Sequence, residues 1–147
     1  MSSETSPLPG RRSPSRSAVS PAPRRTALLA AGADAALILV FAAIGRDAHQ
    51  RGDIISGVLF TAWPFLVGAA LSWLALRVWR SPLDLWPGGV GVWLGAVTLG
   101  MLLRAVTGQT VVLPFVIVAL LSLGVLLLGV RLLAAGFRRV ATRRRRA

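Results

Sequence analysis

The sequence predicts an all-α fold: an integral membrane bundle of four transmembrane helices with the N-terminus and C-terminus both cytoplasmic. Three observations carry that prediction. Hydrophobic residues make up 54% of the 147 residues, and they fall in long runs without amphipathic alternation, which is the composition of a membrane chain. Four of these runs are long enough to cross ~30 Å of hydrocarbon at ~1.5 Å per residue. The 17 basic residues, all arginine, gather beside the runs and in the two tails, where membrane proteins carry their topological charge.

The elements follow in order. Residues 1–26, MSSETSPLPGRRSPSRSAVSPAPRRT, are mostly Ser, Pro and Arg with little to bury, and are expected to be a disordered basic tail. The RRT ahead of an apolar run loosely resembles an export signal. An acid interrupts that run and three further spans follow, so the run reads as a retained helix. The first span is ALLAAGADAALILVFAAI, 27–44, and the second is IISGVLFTAWPFLVGAALSWLAL, 54–76. The third opens at Trp86 and runs through GGVGVWLGAVTLGMLL to 106; the fourth begins VVLPFVIVALLSLGVLLLGV at 111 and is carried through Arg131 to 137. In lipid each span must be helical to satisfy its own backbone, and the short connections make successive helices antiparallel neighbours. Pro64 cannot donate to the carbonyl of Phe60, which predicts a kink in the second span. The four-helix domain thus covers 27–137, and 138–147 form an Arg-rich cytoplasmic tail.

Orientation rests on charge. With four spans, the N-tail, the 77–85 loop and the segment from Arg131 onward share one side and 14 of the 17 arginines. The positive-inside rule makes that side cytoplasmic and the protein a multi-pass component of the cell membrane. Trp79 and Trp86 flank the cytoplasmic loop, as interfacial aromatics do. The tails are expected to lie on anionic headgroups, not on nucleic acid, because no aromatic residues interleave the arginines to stack on bases. Zero cysteines exclude disulfides and thiolate chemistry. One histidine excludes a multi-histidine metal site within a single chain, and no cofactor or metal is assigned.

Between lipid-bathed helices small residues allow close approach. Gly91 and Gly95 form a GxxxG pair on the third span, and Gly68 and Ser72 a small-xxx-small pair on the second; both are read as packing within the bundle. Asp34 is the residue out of place. It lies about seven positions, or ~10 Å, inside the first span, where an ionised carboxylate costs ~2.5–3.5 kcal/mol on insertion scales. It must be protonated, paired or facing water. Arg104 sits near the outer end of its span and differs from Asp34 by more than ~10 Å in depth. Arg131 lies at a similar depth to Asp34, ~9 Å from the cytoplasmic side, and its side chain leans deeper into the membrane. The expected intramembrane pair is therefore Asp34 with Arg131, either fixing helix register or forming a proton- or ion-coupling site. Both readings stay open at this point.

The stretch GRDAHQRGD, 45–53, holds the lone His49 between the first two spans. Its Asp and His spacing matches no ligand motif. It reads as a polar cap on the outer side, with Arg46 and His49 on one helical face and Arg104 joining them as an outer polar cluster.

Taken together, Asp34, GRDAH, TAWPFLVG, VWLGAVTLGMLLR and LLGVR resemble a family of four-helix prokaryotic membrane proteins, a domain of unknown function numbered three thousand and fifty-four. The resemblance covers about 30 to 135. It maps onto Asp34, Gly45, Arg46, His49, Trp63, Pro64, Phe65, Gly68, Trp93, Gly100, Arg104, Gly108 and Arg131, with one departure: a tryptophan is expected before the last arginine, where this chain has Val130. The resemblance implies a bacterial four-helix membrane protein and supplies no activity. The functional expectation is a non-enzymatic interaction or accessory component of the cytoplasmic membrane, acting as a homo-oligomer or with a membrane protein partner. The alternative is a small oligomeric proton- or ion-linked transporter using Asp34.

Overall fold

The computed structural model describes residues 24–47 and 54–144. These form four long helices: α1 (Arg24–Asp47), α2 (Ile54–Ala75), α3 (Val90–Val106) and α4 (Leu113–Arg144). A short 3₁₀ turn at Val78–Arg80 and a tight turn at Leu85–Gly89 connect α2 to α3. No strand occurs among the described residues. Four helical segments are long and apolar enough to cross a membrane, the pattern of a multi-pass membrane protein. The predicted disordered tail up to residue 23, His49 and the rest of 48–53, and 145–147 lie outside the described residues.

Element boundaries differ from those the sequence suggests. Helix α1 spans Arg24–Asp47, where the sequence predicts 27–44, so Arg24, Arg25 and Thr26 of the expected disordered tail are helical. The third helix becomes regular only at Val90, because Trp86 is extended (φ −122°, ψ 137°). Trp86 precedes Pro87, and a residue before proline is held out of the helical region by the proline ring. The fourth helix does not stop at 137 but continues to Arg144. Its last turns read FRRVATRR, with no proline or glycine to end them. By contrast α2 runs from Ile54 to Ala75 through Pro64, whose ring is buried.

The helices stand in a ring, each packed on its chain neighbours, with α4 returning to α1. The α2–α3 contact is the most extensive. A Cβ on Gly68 would stand 2.8 Å from the carbonyl oxygen of Gly95, and a Cβ on Gly95 would collide with the Ser72 side chain. Glycine is thus what lets the two backbones approach. The Ser72 hydroxyl is turned back along its own helix, donating to the Gly68 carbonyl at 2.9 Å. Gly91 faces Leu76 in the same seam.

The other seams differ in chemistry. The Trp93 indole of α3 donates to the Leu120 carbonyl of α4 at 2.9 Å, passing over Gly124, where a Cβ would stand 3.0 Å from the ring. Toward the end of the bundle away from the termini, Phe41 of α1, Phe65 of α2 and Phe115 of α4 form an aromatic triad with centroids 5.7–6.4 Å apart. Leucines and valines of α4 remain largely outward and exposed.

Candidate functional site

Near the terminal end, α1 offers an alanine-rich face with one acid in it. Asp34 is only 4% exposed and Arg131 2% exposed. Arg131 grips the carboxylate with two arms, Nη1 to Oδ1 at 2.8 Å and Nη2 to Oδ2 at 2.8 Å. This is the fork geometry in which guanidinium and carboxylate match best. The Trp73 indole of α2 donates a third hydrogen bond, to Oδ2 at 2.9 Å. One carboxylate on α1 therefore ties α2 and α4 to itself.

The guanidinium is held from its own side too. Nη1 also donates to the Leu127 carbonyl one turn back, at 3.1 Å. The aliphatic stem of Arg131 crosses the face of Gly89, where a Cβ would come within 2.6 Å of Cδ. The turn before α3 thus makes room for the arginine by having no side chain there.

Two residues of this clasp carry no obvious mark in the sequence. Trp73 looks like an ordinary membrane-helix tryptophan. The signal that could have singled it out is that a buried indole N–H needs an acceptor, and Asp34 offers one at comparable depth. Gly89 sits in PGGVG, which reads as a turn and not as a berth for a side chain.

Two clefts reach Asp34 from either side of α1. One, of about 350 Å³, opens between α1 and α2 and is lined by Ala35, Ala70, Trp73 and Trp79. The other, of about 230 Å³, lies between α1, α4 and the Pro82–Leu83 segment and also touches Arg131. Both have almost wholly apolar walls, with the ion pair between them.

The structure does not bring Arg104 to this site. Its guanidinium lies 4.6 Å over the Phe115 ring at the far end of the bundle and donates to the Thr110 carbonyl at 3.2 Å. Arg46 falls on the last turn of α1, and the Arg46 side chain and His49 are outside the described residues. Gly68, Ser72, Gly91 and Gly95 form the α2–α3 seam, and Pro64 lies one turn from Gly68 on α2. Among the described residues, no three His, Cys, Asp or Glu side chains are placed to share a metal ion.

Fold and site together define an all-helical protein of four membrane-length helices closed by a buried carboxylate–guanidinium–indole clasp. The chain belongs to the family described as "Protein of unknown function (DUF3054)", matched over residues 31–134. That segment runs from just before Asp34 to just beyond Arg131, so the whole clasp lies inside it. No curated protein and no solved structure matches the chain.

Proposed function

We propose that this protein is a non-enzymatic accessory or interaction component of the cytoplasmic membrane, a scaffold threaded with both termini inside and its basic tails on anionic lipid. The observation that carries the reading is how fully Asp34 is engaged. An ionised carboxylate has about four acceptor positions, and three are taken by Arg131 and Trp73. A coupling carboxylate must exchange partners during a cycle, and its neighbours usually leave it water or a second acid for that purpose. Here α2 and α4 both depend on it, so releasing it opens two seams at once.

The alternative, a small oligomeric proton- or ion-linked transporter using Asp34, draws on one observation, the pair of clefts that meet at that residue. Proteoliposomes decide between the two. The scaffold reading expects no pH-gradient-driven ion flux above empty liposomes from wild type or from Asp34→Asn, with the variant melting lower. Flux from wild type that vanishes in a still-folded Asn variant would overturn it.

A further inference from the structure

We infer that the groove between α1 and α2 is a binding site for one anionic phospholipid, with an acyl chain in the groove and the phosphate on Arg77 and Arg80. The inference rests on the membrane placement proposed above and not on the scaffold role. The groove runs from Ile38 and Leu66 midway along the helices to Ala31, Leu74 and Trp79 near the terminal end. Along α1 that is seven residues, or ~10 Å. Its walls are Ala, Leu and Ile side chains, and its polar floor, Asp34 with Trp73, is already engaged with Arg131. Such a surface takes a hydrocarbon chain and offers little to a polar ligand.

The mouth of the groove has the opposite chemistry. Trp79, 41% exposed, stands between Arg77 and Arg80, and the 3₁₀ turn that carries it packs on α1 as well as α2. Both arginines are exposed, and neither is drawn into an ion pair or a side-chain hydrogen bond among the described residues. Arg77 is the more telling. It ends α2 in the left-handed conformation, φ 49°, with its N–H on the Leu74 carbonyl at 3.3 Å. That position after a helix favours glycine or asparagine, and a side chain there is strained. A strained, unpartnered arginine beside a lipid-lined groove fits a residue kept for its charge. Asp84 is the one carboxylate on this connection; Arg24 and Arg25 at the start of α1 and Arg138 and Arg139 on α4 leave this end strongly positive. An acyl lipid whose phosphodiester charge is uncompensated matches both halves of the site; a zwitterionic headgroup, whose own ammonium offsets the same phosphate, matches the arginines less well.

The test uses the full chain in uncharged detergent micelles, with native mass spectrometry for retained lipid and thermal melting as readouts. Wild type is expected to retain phosphatidylglycerol about tenfold better than phosphatidylcholine, as one to two arginine–headgroup contacts allow. Arg77→Gly relieves the backbone and is expected to melt no lower in phosphatidylcholine, yet to lose the phosphatidylglycerol preference. Ala70→Trp, which fills the groove wall, is expected to lose retained lipid of either kind. Equal retention of the two lipids by wild type, or an unchanged preference in Arg77→Gly, would overturn the site. So would inorganic phosphate alone protecting as well as phosphatidylglycerol, since the groove would then contribute nothing. Ion flux in proteoliposomes would remove the scaffold role and leave these outcomes untouched.

Discussion

At the scale of single residues, the clasp sets the largest local energies. Removing one partner of a buried ion pair leaves an uncompensated charge, typically a loss of about 3–5 kcal/mol. Asp34→Asn and Arg131→Gln are each expected to melt well below wild type. In the double variant, the two amides can bond each other, so the combined loss is expected to fall short of the sum, which a double-mutant cycle on thermal or denaturant unfolding reads. Trp73→Phe keeps the ring and drops only the donor, with an expected loss of about 1.5–3 kcal/mol for a hydrogen bond to a charged group; an unchanged melting curve would show that the indole merely fills space. Asp34 announces itself in the sequence because an acid in an apolar run has a cost that something must offset. Arg131 is visible for the same reason. Trp73 and Gly89 are not, since neither is anomalous in a membrane helix or turn; only the packing shows that one donates and the other stays out of the way.

At the scale of elements, each seam of the ring has its own adhesive: a glycine–serine groove between α2 and α3, an indole on a backbone carbonyl between α3 and α4, and the clasp at α1. Gly95→Val drives a branched side chain into Ser72 and the Gly68 backbone. Overpacking of this kind is expected to cost about 1–3 kcal/mol and to increase protease sensitivity between α2 and α3. Gly32→Ala serves as the control, because a Cβ there meets nothing within 4 Å, and it is expected to melt no lower than wild type, with up to ~1 kcal/mol gained from helix propensity. Small-residue spacing on α2 and α3 is readable from sequence, but which backbone each glycine faces is not. Helix ends are less legible still: the late start of α3 follows from the local effect of Pro87 on Trp86, whereas the run of α4 to Arg144 is carried by charged residues that a hydropathy reading treats as tail.

At the scale of the whole molecule, four apolar runs are plain from composition, because nothing else in a chain of this size needs so much uninterrupted hydrocarbon. Their order around the ring is not, since an up-and-down arrangement can turn either way and only the seams select one. The arginine asymmetry predicts the threading, and the cysteine-free chain makes it testable. A single cysteine at Thr110→Cys is expected to react with an impermeant maleimide on intact cells, while Ala147→Cys reacts only after permeabilisation. The reverse pattern would place the arginine-rich ends outside.

The clasp also has a history within each molecule. Asp34 and Arg131 are 97 residues apart in the chain, so at ~5–20 residues per second of synthesis the first helix waits on the order of five to twenty seconds before its counter-charge is made. During that interval α1 holds an acid without Arg131 to meet it, and of its clasp partners only the Trp73 indole has been made. The last helix to emerge is therefore the one that completes the first, and a chain truncated before residue 113 would retain three hydrophobic spans and a carboxylate without Arg131. Such a chain keeps the cost of the buried acid and lacks the arm that offsets it.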